Sequence, residues 1–175
     1  MKVIGLAGWS GAGKTTLLTR LIPHFRKEGL RVSVIKHAHH AFDVDVPGKD
    51  SWRHRESGAT EVLVSSTRRW ALMHELRGAG EPRLSELLAK MSRVDLVVIE
   101  GFKREPHRKI EVHRAANAKP LLFPDDPGVV GIATDTAVET TLPTAHLDDI
   151  EAIAAMMLRS AISVEEVLAN SEAES

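Results

Sequence analysis

The sequence predicts an α/β protein in three layers, a mostly parallel β-sheet between helices, with a β-hairpin inserted partway along the chain. Two observations carry this. Apolar runs of strand length recur at 3–7 ("VIGLA"), 32–35 ("VSVI"), 96–99 ("LVVI") and 129–133 ("VVGIA"), as strands buried on both faces of a parallel sheet do. Helical patterns fill the stretches between them, the alternation expected of right-handed β-α-β units.

Taken in order, the run at 3–7 leads into a glycine-rich turn and then "KTTLLTRLIPHFRKEG", which places Leu17, Leu18, Leu21, Ile22 and Phe25 on one helical face. Pro23 is a kink point within it and Gly29 is its stop. The stretch "TEVLVSSTRRWALMHEL" reads as two strands around a polar turn at Ser66 to Arg69, a hairpin over about residues 60–76. It is expected either as two extra edge strands on the main sheet or as a dimerisation arm. "EPRLSELLAKM" is a short amphipathic helix opened by Pro82, and "KIEV" at 109–112 is a further strand. "DDIEAIAAMMLRSAI" from Asp148 is a capped helix with acids in its first turn. The expected organisation is one domain over 1–160 followed by an acidic tail over 161–175, of which the last residues "EEVLANSEAES" fray.

A chain of 175 residues is long enough to bury roughly 70% of its extended surface on folding. Cysteine is absent, which removes disulfides, thiolate metal sites and thiol nucleophiles and accords with a reducing cytoplasm. The net charge of −1 argues against a nucleic-acid binder. No apolar run reaches the roughly 20 residues of a membrane span, and the N-terminal run breaks at once into glycines, so neither membrane partner nor signal peptide is expected.

The most specific motif is "GWSGAGKT", Gly8 to Thr15, which fits G-x-x-x-x-G-K-[ST] at every defined position. It follows a strand and opens a helix, so the backbone N–H groups of Gly8, Trp9, Ser10, Gly11, Ala12 and Gly13 and the helix N-terminus converge on one anion-sized hollow. Lys14 is expected on the β and γ phosphates, Thr15 on Mg²⁺ and Thr16 on the α phosphate. With the strand pattern this specifies a three-layer P-loop NTPase fold that binds a nucleoside triphosphate.

A phosphate loop needs an acidic partner, and "VDLVVIEG" offers Asp95 and Glu100. They stand roughly 16 Å apart along one strand. Ligands of open α/β sheets lie beyond the carboxyl ends of the strands, which selects Glu100 for Mg²⁺ or for orienting an attacking water, and leaves Asp95 at the strand entry. The same rule brings Lys36, His37, His39, His40, Thr134 and Asp135 to the nucleotide edge. Asp135 has the chemistry to accept from the N1–H and amino group of guanine, or to cap its own turn. The histidine segment "KHAHHAFDVD" suits metal ligation, a role at the nucleotide or a solvated loop.

"KHAHHAFDVDVPGKDSWRHRESGA" at 36–59, "GWSGAGKTTL" and "VVIEGFK" together resemble the molybdopterin-guanine dinucleotide biosynthesis adapter family, MobB, from about Met1 to about Arg159. The resemblance implies a homodimeric GTP-binding protein with at most slow GTP hydrolysis. It would assist a molybdenum cofactor guanylyltransferase that joins GMP to molybdopterin, a ligand whose contact with this chain stays open. Carried onto this sequence, the phosphate loop spans Gly8 to Thr16, the acidic motif is Glu100, Gly101 and Lys103, and His37, His40, Asp45, Asp50 and Arg53 lie around the site. Asp45 or Asp50 would reach Mg²⁺ through water, while Lys36, Lys49, Arg53 and Arg55 would attract phosphates or face solvent. Two rival readings are a small-molecule kinase, with Arg104 and Arg108 as a lid, and a metal-delivery GTPase carrying its cargo on the histidines.

Overall fold

The computed structural model describes residues 1–38, 42–103 and 105–173. It divides into two compact units, one made of Met1–His37 with Leu84–Ser175 and the other of Ala38–Arg83. In the first, the four apolar runs and "KIEV" form β1 (Lys2–Ala7), β2 (Val32–Lys36), β5 (Leu96–Glu100), β7 (Val129–Thr134) and β6 (Lys109–His113). With β8 (Thr144–His146) they order as β2-β5-β1-β6-β7-β8, every neighbour parallel. β1 is therefore central, and the chain leaves it at the carboxyl edge of the sheet.

Strand alternation sorts the core into two layers. Ile4, Leu6, Leu96, Val98, Ile110 and Val112 face one side, where they meet Leu17, Leu18, Leu21 and Phe25 of α1 (Lys14–Lys27) and Ile153, Met156 and Met157 of α4 (Ile150–Ser160). Val3, Val97 and Ile99 face the other, against Leu84 and Leu88 of α3 (Leu84–Ala89), Ile162 and Val167. On that second side β6 turns inward Lys109 and Glu111, both buried. Lys109 is neutralised by Asp126 at 2.9 Å and Glu111 accepts from the amides of Leu122 and Phe123 at 2.7 and 3.0 Å. Burial pushes the Glu111 carboxyl above its ordinary range, and those two amides oppose the shift. The helix α1 runs through Pro23, and Asp95, at the strand entry, pairs with Arg31 at 3.2 Å.

Two expectations are corrected here. The stretch "EEVLANSEAES" expected to fray forms instead most of α5 (Val164–Ala173), which buries Val167, and β9 (Ile162–Ser163) before it pairs antiparallel with the start of β1. β9 fits because β6 pairs with β1 only from Gly5 onward, leaving the Lys2 and Val3 edge open. The capped helix expected after Asp148 is α4, capped by Asp149, whose side chain accepts from the Ala152 amide. The hairpin, β3 (Glu61–Ser65) and β4 (Trp70–His74), forms a two-stranded sheet of its own and adds no edge to the main sheet.

That hairpin belongs to the second unit with α2 (Asp50–Glu56). Leu63 and Leu72 face each other on one rung and are 60% and 47% exposed, and Trp70 is 65% exposed. Arg55 is the hub of this unit, pairing with Asp43 at 2.9 Å, Asp45 at 3.3 Å and Glu75 at 2.8 Å.

Candidate functional site at the carboxyl edge of the sheet

The ends of β1, β2, β5, β6 and β7 bring their following residues to one edge. Gly8 leaves β1 with φ 143°, and a Cβ there would stand 2.4 Å from the Val112 carbonyl oxygen, so the loop starts where only glycine fits. Gly13 caps α1 in the left-handed conformation, and the helix N-terminus follows at Lys14. The loop is folded onto itself: the Lys14 ammonium donates to the carbonyls of Gly8 at 2.8 Å and Trp9 at 3.0 Å. Burial, then the Lys103 charge, lower the Lys14 pKa; Glu100 opposes this and Lys36 adds to it.

Leu6, Glu100 and Lys36 share one rung of the sheet. Glu100 is buried, and its Oε1 accepts from the Thr15 hydroxyl at 2.6 Å with the Lys36 ammonium 3.7 Å away. A hydroxyl and a carboxylate in contact at the foot of a phosphate loop are the hard oxygen donors that Mg²⁺ takes, so Thr15 and Glu100 fit that ion. Gly101 has φ 103°, and a Cβ there would meet the His37 Cβ at 2.7 Å, which keeps the β5 exit tight against the β2 exit. The His37 ring packs on Phe102 with centroids 4.8 Å apart, and Lys103 lies over the Trp9 ring at 4.6 Å.

The sheet edge also brings in residues that the sequence reading did not select. After β6, the segment "HRAANAKP" wraps the outside of the phosphate loop. The Asn117 amide donates to the Ser10 carbonyl at 3.0 Å, and the Trp9 indole donates to the Pro120 carbonyl at 2.7 Å. Asp135 accepts from the Ala115 amide at 2.8 Å and pairs with Arg114 at 3.5 Å. The Ala115 amide is the main cause of a carboxyl held below its ordinary range, with Arg114 and His113 adding to it. Thr134 is buried with its hydroxyl 3.3 Å from the His113 ring. The rule that selected Asp135, position at a strand's carboxyl end, selects Arg114 as well.

Thus Gly8 to Thr16, Lys36, His37, Glu100, Lys103, Thr134 and Asp135 belong to the first unit. Asp45, Asp50 and Arg53 belong to the second, where Asp45 holds Ser51 at 2.8 Å and Arg55 at 3.3 Å, Asp50 starts α2 and Arg53 is exposed. Arg55, expected on phosphates or in solvent, is committed to three carboxylates. His39, His40 and Arg104 lie outside the described residues. Among the described residues there is no cluster of three or more His, Cys, Asp or Glu suited to a metal ion, and no helix is long and apolar enough to cross a membrane.

The family model described as molybdopterin guanine dinucleotide synthesis protein B matches residues 3–135. The chain is 41% identical over 155 residues to the molybdopterin-guanine dinucleotide biosynthesis adapter protein of Escherichia coli strain K12, covering 87% of this chain and 89% of the relative. The protein so named from Haemophilus influenzae is 42% identical over 155 residues, covering 87% and 85%. A crystal structure of molybdopterin-guanine biosynthesis protein B superposes with a TM-score of 0.72 at 28% identity, over 90% of this chain and 98% of the other. The crystal structure of Bacillus subtilis MobB shares the fold at a TM-score of 0.69 and 22% identity, over 90% and 98%. The fold, the phosphate loop and these relatives agree, and the chain belongs to the MobB family.

Proposed function

We propose that this protein is an adapter of molybdopterin-guanine dinucleotide biosynthesis that binds GTP with Mg²⁺ and assists the guanylyltransferase attaching GMP to molybdopterin. The observation that carries the reading is the Thr15 to Glu100 contact of 2.6 Å beneath a self-closed phosphate loop. On binding, the Lys14 ammonium exchanges the Gly8 and Trp9 carbonyls for phosphate oxygens, and the N–H groups of residues 10–16 surround the β phosphate. Mg²⁺ bound at Thr15 and Glu100 would offset charge on the β and γ phosphates. Lys36 and Lys103 add positive charge at the same edge, and Asp135 at that edge has the chemistry to accept from the N1–H and amino group of guanine. Turnover is slow at most, because Glu100 is committed to Thr15 and Lys36 and stands as a poor base for water. The exposed Leu63, Trp70 and Leu72 of the hairpin support a homodimer, and the absence of cysteine accords with a cytoplasmic protein.

The test has two arms. Calorimetric titration should give GTP binding in preference to ATP, with Lys14→Ala abolishing it while circular dichroism stays unchanged. Adding the protein to purified guanylyltransferase, GTP and molybdopterin should raise the yield of dinucleotide, and the Lys14→Ala variant should not. Retained GTP affinity in that variant, or equal yield with and without the protein, would refute the reading.

A further inference from the structure

We propose that Arg114 exchanges between Asp135 and the triphosphate, and that guanine drives this exchange by taking the place of the arginine on the Asp135 carboxylate. This rests on the reading that Gly8 to Thr16 hold a nucleoside triphosphate. It adds a phosphate ligand from outside the motif and a physical basis for preferring guanine.

The first observation is position. Nη2 and Nε of Arg114 are the nearest groups to the point where a Cβ on Gly13 would stand, at 3.6 and 3.8 Å. Gly13 precedes Lys14 and caps α1, so the guanidinium lies beside the first N–H groups of that helix, where an anion collects. The second is how loosely it is held. Its pair with Asp135 spans 3.5 Å, longer than a charge-assisted hydrogen bond, and the side chain is 45% exposed. The third is that its backbone stays in place without that pair. Ala115 donates to Asp135 Oδ1, Asn117 holds Ser10 and Pro120 receives the Trp9 indole, so the exchange requires only a side-chain rotation.

The fourth is chemical likeness. A guanidinium presents adjacent N–H donors in one plane, and guanine presents the same pattern through N1–H and its 2-amino group. Either satisfies a carboxylate, so a guanine at Asp135 releases Arg114 to the phosphates beside Gly13. Adenine lacks that donor pair, so with ATP the arginine stays on Asp135 and the phosphates lose one cation.

Calorimetric titration with GTP, ATP and inorganic tripolyphosphate tests this in the wild type, Arg114→Ala, Arg114→Lys and Asp135→Asn, with thermal melting confirming that each is folded. Arg114→Ala should lose about ten- to hundredfold in GTP affinity, the worth of a hydrogen-bonded charge pair. Arg114→Lys, keeping charge without the planar fork, should fall between. Asp135→Asn keeps an acceptor for Ala115 and removes the competitor for Arg114. It should bind tripolyphosphate about two- to fivefold more tightly, the scale of an exposed ion pair, while its preference for GTP over ATP collapses. Unchanged GTP affinity in Arg114→Ala, or weaker tripolyphosphate binding in Asp135→Asn, would overturn the exchange. A wild type binding neither GTP nor tripolyphosphate would instead refute the nucleotide reading beneath it.

Discussion

His107 gives the sharpest test of how this chain is balanced. Its ring is 1% exposed and neither nitrogen has a hydrogen-bond partner. It lies against β1 so closely that a Cβ on Gly5 would be 2.5 Å from Nε2. Burial first, then the charge of Lys109, push its pKa from 6.5 down to about 4, with the Glu105 carbonyl and Asp126 opposing. A histidine with a depressed folded value stabilises nothing by its charge. Above pH 6.5 folding takes nothing from it, and as pH falls below 6.5 the unfolded chain binds a proton that the folded chain refuses. Stability is therefore lost between 6.5 and about 4. Integrating that difference gives a loss of about 2 kcal/mol between about pH 7.5 and about pH 5, rising toward about 3 kcal/mol below pH 4. Urea unfolding of the wild type and His107→Met at those two pH values isolates the contribution, because Lys109, Asp126 and every other titrating group are common to both. The variant should lose about 2 kcal/mol less on acidification. Equal losses in the two proteins would show that the ring is solvated or hydrogen-bonded in solution and refute the reasoning.

Two further outcomes follow from packing and pairing. Phe25→Ala, at a side chain with no exposed surface between α1 and the sheet, should cost about 3 to 5 kcal/mol by chemical denaturation, and a loss below about 1 kcal/mol would contradict its place in the core. Arg55→Met removes the hub that holds Asp43, Asp45 and Glu75, so amide hydrogen exchange should quicken at residues 43–46 while the amides of β1 and β5 keep their protection. Asp43, held below its ordinary value first by the Asp45 amide and then by Arg55, should loosen the same segment as pH falls through that lowered value.

What could be read in the sequence was set by how each element is stabilised. β1, β5 and β7 were visible because they are buried on both faces and their residues are almost continuously apolar, and β2 and β6 were read from the shorter runs "VSVI" and "KIEV". β8 and β9 were not, since "TAH" and "IS" are too short to carry a period and owe their pairing to neighbouring strands. The helix α5 was missed although a signal was present. Ser163 and Glu166 form a reciprocal capping box, with the Glu166 amide donating to Ser163 Oγ at 3.1 Å and the Ser163 amide to Glu166 Oε2 at 2.8 Å. The acidic character of "EEVLANSEAES" hid that S-x-x-E pattern. At the candidate site, the loop motif and Glu100 were legible because their spacing is local or follows from strand direction. Asn117 was not, because its meaning comes from a fold that returns residues 114–120 to residues 9–13, while Arg114, just beyond the carboxyl end of β6, was within reach of the strand-end rule and was passed over.

That return braces the phosphate loop. A glycine-rich loop of this length would otherwise lose conformational entropy on closing around an anion. Here the ordering is done in advance: Asn117 fixes Ser10, Pro120 fixes Trp9, Lys103 covers the Trp9 ring, and Lys14 satisfies the carbonyls of Gly8 and Trp9. The Lys14 contacts are hydrogen bonds to neutral carbonyls, which a charged phosphate oxygen replaces with stronger ones. Binding then exchanges partners around a backbone already in place, which lowers the ordering cost that a flexible loop would carry. The Thr15 to Glu100 contact follows the same logic, because the β5 register with β1 sets Glu100 and the start of α1 sets Thr15.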